Sequence, residues 1–277
     1  MKVYISADME GATGVTSSGQ CSPKKNEYKR FRKLLTGDVN AAVKGAREAG
    51  AEEVLVNDSH GPMTNIMIEE LEEKARLISG SNKPLLQMQG IDESFDAAFF
   101  VAYHAHEGTP GGVINHTVAG SAVEEITFNG EVVGETGINA RIAGYFGVPV
   151  VLVTGDDKVA EEAKSQIPKI HAVTVKKGLD RFAGECLPPS ETEEMIAEGA
   201  EKALQDADNI TPLCPEGPVI FRLKYKTTPS AAMAELFPSV KRVGAKTVEI
   251  ADNDYLMAFK KLWGCIILGF NAAGGVL

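Results

Sequence analysis

The sequence has little of what staples or anchors a chain. Its cysteines are few, Cys21, Cys186, Cys214 and Cys265, and none pair at C-x-x-C spacing. That excludes a disulfide frame and a structural cysteine-zinc site, and leaves four reduced thiols. Positive charge is also scarce. Lys and Arg number 28 against 38 Asp and Glu, a net charge of -10. Neither nucleic acid nor an anionic membrane surface is an expected partner. No long apolar run exists, and Ile266 to Phe270 is far too short to span a bilayer. The chain enters its first strand at once, with no room for a signal peptide, so a cytoplasmic location is expected. The G-x-G-x-x-G and G-x-x-x-x-G-K-[ST] loops and the G-x-S-x-G elbow are all absent. Dinucleotide, P-loop and serine-hydrolase chemistry lose their usual signals.

What is present is a core and a pattern of strand ends. With 277 residues, 44% hydrophobic, the chain can build one large or two modest domains. Val3 to Ala7 reads as a buried parallel strand that runs into Asp8-Met9-Glu10-Gly11. If the backbone stays extended, Asp8 and Glu10 project to one side. Like charges there repel, and their burial is costly. Either a cation holds them or the strand end frays into a solvated acidic turn. A second strand, Glu53 to Asn57, exits through Asp58-Ser59-His60-Gly61-Pro62. The most apolar strand, Ala97 to Tyr103, ends in His104-Ala105-His106. Ligands of open α/β sheets bind beyond the carboxyl ends of their strands. Three such ends carrying Asp, Glu and His favour a metal site over three separate accidents. His106, one step further, is a weaker candidate for a supporting or substrate contact. Asp58 is a supporting or loop-capping residue.

The rest of the chain alternates helix and strand. Helices are expected from the Lys24–Lys33 region to Ala49, over Ile66 to Lys74, and from about Ile138 to Tyr145. Ala75 to Ile78 is expected as a short strand, and Asn129-Gly130 as the turn of a hairpin. His116 lies in an apolar setting, as a core histidine or one that faces substrate. Glu135 stands near a helix N-terminus, which suits a carboxylate in any case. Strand Val148 to Thr154 leads to Asp156 and Asp157, read as caps of the next helix. Beyond about Ile167 follow shorter strands, a helix over Glu191 to Gln205, a Pro-rich connector at Thr211 to Pro218 and a last helix capped by Asp252. His171 is expected at the surface. The fold class is α/β: a three-layer α/β/α domain with a mainly parallel sheet, plus a smaller α/β C-terminal domain. The division falls near residue 165, with a metal-binding catalytic part at 1–165 and a part for closure or oligomerisation at 166–277.

Two or three carboxylates and two histidines suit zinc, and a fifth ligand suits a pair of ions sharing a bridging carboxylate. Such a pair turns water into hydroxide at neutral pH, for hydrolysis of an amide, ester or phosphate. The motifs Ser6-x-Asp8-x-Glu10-Gly11, Asn57-Asp58-Ser59-His60, Tyr103-His104-Ala105, Asn115-His116 after Thr109-Pro110-Gly111, and Val133-Gly134-Glu135-x-Gly137-x-Asn139-Ala140 together resemble the zinc-dependent D-aminopeptidase family. The resemblance runs over nearly the whole chain and is densest in its first 160 or so residues. It implies two Zn2+ ions held by Asp8, Glu10, His60, His104 and Glu135, with Asp8 as the bridge. It implies His116 as the catalytic histidine, stabilising the oxyanion or protonating the leaving amine. It further implies a ring-shaped homo-oligomer that cleaves short peptides with an N-terminal D-amino acid. The loops at Val15 to Lys25 and between His104 and His116 depart from the family pattern. Alternatives are another dinuclear metallohydrolase, an amidohydrolase or phosphoesterase, or a metal- or peptide-binding module without turnover.

Overall fold

The first strand forms because Val3, Tyr4, Ile5 and Ala7 have no contact with solvent and need two covered faces. In the computed structural model, which describes residues 1–273, the chain runs in this order. The first half gives β1 (Lys2–Ala7), α1 (Tyr28–Glu48), β2 (Glu53–Asp58), β3 (Ala75–Ile78), β4 (Ala97–Tyr103), β5 (Val123–Phe128) and β6 (Glu131–Val132). Next come α2 (Glu135–Tyr145), β7 (Val150–Asp156), α3 (Asp157–Gln166), β8 (His171–Asp180), β9 (Ala183–Cys186) and α4 (Pro189–Gln205). The chain closes with β10 (Val219–Tyr225), α5 (Thr228–Ala234), β11 (Val240–Arg242), β12 (Thr247–Asp252) and α6 (Tyr255–Ala273). These elements form two units.

The first unit holds residues 1–105, 109–114 and 139–214. Its seven-stranded sheet has the order β3-β2-β1-β4-β7-β8-β9. All neighbours pair in parallel except β8 with β9. Helices cover both faces, which is the α/β architecture expected of the main domain. From β1 the chain order grows outward through β2 to β3, and from β4 in the other direction through β7 to β8. The crevice between β1 and β4 is thus a topological switch point, where such sheets bind ligands. Every residue of β4 is buried. Full burial of Phe99 and of Phe100 contributes about 1.5–3 kcal/mol each.

The second unit holds residues 106–108, 115–138 and the described residues from 215 on. It carries a five-stranded antiparallel sheet, β11-β12-β10-β5-β6. Asn129 and Gly130 turn the β5–β6 hairpin with φ of 51° and 94°, the positive values that this two-residue turn requires. The α6 helix is longer than the apolar run suggested. By length and composition alone (19 residues, hydropathy 1.3) it could cross a membrane. One face is nevertheless packed in its own unit. The Tyr225 hydroxyl donates to the Cys265 carbonyl at 2.6 Å, and Gly269 sits against the Tyr225 ring.

Some expectations need correction. Ile66 to Lys74 is not a helix; only a 3-10 turn forms, at Ile68–Glu70. The backbone there is satisfied by side chains instead. Asp58 accepts from the amides of Asn65 and Ile66, while Asn40 donates to the Glu70 carbonyl and accepts from the Glu72 amide. Strands β9 and β11 were not anticipated. Asp254, not Asp252, caps α6, accepting from the Met257 amide at 2.8 Å. Residue 165, where a division was expected, lies in α3 within the first unit.

Two contacts shape the turn after β1. Gly11 donates its amide to the Ala102 carbonyl at 2.8 Å, and a Cβ on it would sit 1.9 Å from the Tyr103 carbonyl oxygen. No other residue permits that approach. From β8, the fully buried Lys176 donates to the carbonyls of Glu10, Ala12 and Val15 at 2.6, 2.8 and 2.7 Å. Burial pulls its pKa down, and Asp156 works against that shift. Removing the ammonium strands three buried acceptors. Lys176→Met is expected to cost about 3–5 kcal/mol of unfolding free energy in a urea titration. An unchanged midpoint and slope would show that the 10–15 loop does not depend on this lysine.

Candidate metal centre

Three strand ends of the first unit converge. Asp8 follows β1, His60 follows β2 by two residues, and His104 follows β4. The register explains it: β1 lies between β2 and β4, with Ala7 opposite Asp58 on one side and Val101 on the other. Asp8 and Glu10 are not on an extended strand as expected. The backbone turns after Ala7, with the Asp8 amide donating to the Val101 carbonyl and the Gly11 amide to that of Ala102. The turn, not the pleat, brings both carboxylates to one place.

The distances are short. His60 Nδ1 is 2.8 Å from Glu10 Oε2 and 3.3 Å from Asp8 Oδ1. His104 Nε2 is 3.3 Å from Asp8 Oδ2. Asp8, Glu10 and His104 are all buried. Even so, Asp8 Oδ2 and Glu10 Oε2 accept no hydrogen bond among the described residues. Buried carboxylate oxygens left in this way are costly. Oxygen and nitrogen donors aimed at a common space fit a divalent ion, and Asp, Glu and His are the donor types that zinc takes. Asp8, Glu10 and His104 each offer a donor atom within 4.8 Å of the others, as do Glu10, Cys21 and His60.

Each ring is oriented by a carbonyl. His60 Nε2 lies 3.0 Å from the Cys21 carbonyl oxygen, and His104 Nδ1 lies 3.0 Å from that of Ala105. A carbonyl only accepts, so these nitrogens carry the hydrogens. In the neutral rings the lone pairs fall on His60 Nδ1 and His104 Nε2, which face the carboxylates. This is the supporting arrangement of metal-ligating histidines. The charges are strongly linked. Burial would raise the Asp8 pKa, but His104 and His60 outweigh it and hold the carboxyl well below its usual range. Burial would lower the His60 pKa, but Glu10 and Asp8 outweigh it and hold the imidazole well above its usual range.

Beneath the cluster lies a buried polar network. Ser6 Oγ is 2.8 Å from Ser59 Oγ and 2.7 Å from the Tyr103 hydroxyl, and it donates to the Gln87 carbonyl at 2.8 Å. Asn139 Nδ2 reaches Tyr103 at 3.0 Å and Gln87 Oε1 at 2.7 Å. Lys83 Nζ donates to Asn57 Oδ1 and the Asp58 carbonyl at 2.7 and 2.6 Å, and burial brings its pKa down to about 8. These bonds tie the ends of β1, β2 and β4 to one another. Lys83 and Lys176 have no signal in the sequence, for no motif marks a residue whose partners are carbonyls elsewhere in the chain, and Gln87 has none because its own carbonyl is the acceptor, from Ser6 and Asn57. Asp58 proves to be a loop cap, bonded to Asn65 and Ile66 and, among the described residues, to no histidine ring. Asp156 caps α3, accepting from the Val159 amide at 2.8 Å, and Asp157 accepts from the Gly178 amide.

Glu135 and His116 meet in the second unit. Glu135 opens α2, is buried, and accepts from the Val118 amide at 2.6 Å. His116 Nε2 is 4.0 Å from Glu135 Oε1, with its side chain 17% exposed. In the same unit, His106 Nδ1 is 2.8 Å from the Glu107 carbonyl. The backbone is strained near several of these residues. Ala102, Ile114 and Val118 have φ of 60°, 49° and 59°. Values of this sign are true outliers for the β-branched Ile114 and Val118. Such strain persists where surrounding structure enforces it, and it concentrates at functional sites. In the first unit, His171 Nε2 pairs with Asp206 Oδ2 at 3.2 Å and belongs to no candidate metal group among the described residues.

Comparison with known proteins gives consistent results. The family model described as D-aminopeptidase matches residues 1–263. The chain is 37% identical over 263 residues to a D-aminopeptidase of Bacillus subtilis (strain 168), covering 95% of each sequence. It is also similar to a solved structure described as the Zn-dependent D-aminopeptidase DppA from Bacillus subtilis, a self-compartmentalizing protease. That match has a TM-score of 0.94 at 37% identity and covers 97% of this chain and 98% of the other.

The paired shifts give a pH signature to protein stripped of metal by a chelator. The Asp8 contribution is present above its ordinary pKa of 3.8 and is lost as pH falls through the lower folded value. The His60 contribution is present below its ordinary pKa of 6.5 and is lost as pH rises through the higher folded value. Both act in full only between the two ordinary values. Stripped protein is expected to lose melting temperature as pH rises above 6.5, the ordinary histidine value, and His60→Gln to flatten that alkaline fall. The same fall in His60→Gln would show that the cluster does not produce it.

Proposed function

The chain belongs to the D-aminopeptidase family, and from that premise we propose that it is a zinc-dependent aminopeptidase acting on short peptides with an N-terminal D-amino acid. One observation carries the reading: two buried carboxylates with oxygens left without hydrogen bonds, facing two imidazoles whose other nitrogens are fixed by carbonyls. Asp8, Glu10, His60 and His104 would hold the metal, with Glu135 as a fifth ligand. Bound zinc supplies a Lewis acid and an acidified water at neutral pH.

The remaining chemistry belongs to side chains. The Cys21 and Ala105 carbonyls keep His60 and His104 in the tautomers that present a lone pair inward. The Val118 amide orients the Glu135 carboxylate from a strained backbone. His116 carries the proton that a departing amine needs, at Nε2, the nitrogen that faces Glu135. The resemblance of the chain to a self-compartmentalizing protease supports assembly into a homo-oligomer, read here as a ring, that would admit short peptides and exclude folded proteins.

Elemental analysis of the purified chain is expected to find about two zinc ions per chain. D-Ala-D-Ala should be cleaved and L-Ala-L-Ala spared, and a chelator should abolish the cleavage. His116→Ala should lower kcat by roughly 10²–10⁴-fold with zinc content unchanged. Zinc without cleavage of either peptide would keep the centre and reject the substrate. Full turnover in His116→Ala would remove the histidine from its role.

A further inference from the structure

One thiol stands beside the metal cluster. Cys21 is buried, at 4% exposure, in the loop that precedes α1. Its Sγ lies in the group with Glu10 and His60 whose donor atoms are within 4.8 Å of one another. Its own carbonyl oxygen is 3.0 Å from His60 Nε2. The backbone of Cys21 is thereby held against the ring of a candidate ligand. Three turn hydrogen bonds fix the loop further: Gln20 N to Ser17 O, Cys21 N to Ser18 O and Lys25 N to Ser22 O, at 3.0, 3.3 and 2.9 Å. The neighbouring carboxylate points to a cation there. Glu10 Oε2, on a side chain that is 5% exposed, accepts no hydrogen bond among the described residues and has His60 Nδ1 at 2.8 Å, and Glu10 and His60 are the two residues grouped with Cys21.

We propose that Cys21 Sγ is a metal ligand, giving the Glu10–His60 part of the centre one sulfur donor. The inference rests on the zinc reading above and adds a donor to it. The balance is simple: the S–H bond breaks, the proton leaves to water, and a metal–sulfur bond forms without electron transfer. Burial, and then Glu10, push the thiol pKa up. The charge of a coordinated cation overcomes both, since a coordinating thiol is deprotonated outright. A sulfur donor favours zinc over magnesium, calcium or manganese, whose preferred donors are oxygens. It also makes metal retention vulnerable to thiol oxidation, which an all-oxygen and nitrogen centre escapes.

Zinc X-ray absorption on the full chain tests this. Wild type is expected to show a Zn–S shell near about 2.3 Å beside the nitrogen and oxygen shell near about 2.0–2.1 Å. Cys21→Ser should lose the longer shell. Should that variant fold poorly, cobalt-loaded protein with Cys186→Ser, Cys214→Ser and Cys265→Ser decides the point. It retains Cys21 alone and should keep a thiolate-to-cobalt charge-transfer band in the near ultraviolet. Zinc bound in wild type with only nitrogen and oxygen neighbours overturns the sulfur ligand and leaves the zinc reading standing. Wild type that neither contains zinc nor takes up added zinc overturns the zinc reading, and the sulfur ligand with it.

Discussion

Two carboxylates buried at the end of one parallel strand set the terms for the rest of the first unit. Asp8 and Glu10 repel each other and have little access to water. Their burial is tolerable only with positive charge close by. The protein supplies His60 and His104 from the neighbouring strand ends. This is why β2, β1 and β4 must be adjacent and parallel. A shift of one residue in either register would turn a histidine away. The switch point between β1 and β4 gives the site its place, and the charge balance gives the switch point its residues.

Holding that balance needs more buried polarity. Lys176 draws three carbonyls of the 10–15 loop to one ammonium, and Lys83 does the same for Asn57 and Asp58. Both lysines lose solvation, and burial lowers the pKa of each. A hydrophobic replacement of the whole arrangement could be more stable. What the lysines provide is a fixed loop path, so that Glu10 reaches His60 and does not relax toward solvent. Ser6, Ser59, Tyr103 and Asn139 act similarly beneath the strand ends. Stability is being exchanged for geometry.

Much of this was legible in the sequence, and the exceptions have physical causes. Asp8, Glu10, His60 and His104 could be grouped because each follows an apolar strand, and parallel strands present their carboxyl ends together. The expected mechanism for Asp8 and Glu10 was mistaken, since side-chain alternation stops once Gly11 lets the chain turn under Tyr103. The helix expected over Ile66 to Lys74 failed because side chains outside the segment capture its backbone groups: Asp58, just upstream, takes the Ile66 amide, and the more distant Asn40 takes the Glu70 carbonyl and the Glu72 amide. The short strands β9 and β11 lack an apolar pattern of their own and exist by pairing with β8 and β12. Lys176 could not be found at all: it is 166 residues from Glu10, and its partners are carbonyls that every residue possesses.

Strain is the other property hidden from sequence. Val118 adopts a φ of 59° while its amide holds Glu135 at 2.6 Å. Glycine would accept that conformation without strain. Valine accepts it only because the surroundings leave no alternative, and it adds a side chain that stiffens the loop. The cost, of order 1–3 kcal/mol, is drawn from a well-packed sheet in the same unit. A carboxylate meant only to favour a helix N-terminus needs no strained amide, since the helix dipole already serves it. The strain at Val118 therefore argues that the position of the Glu135 oxygens matters more than the ease of placing them there.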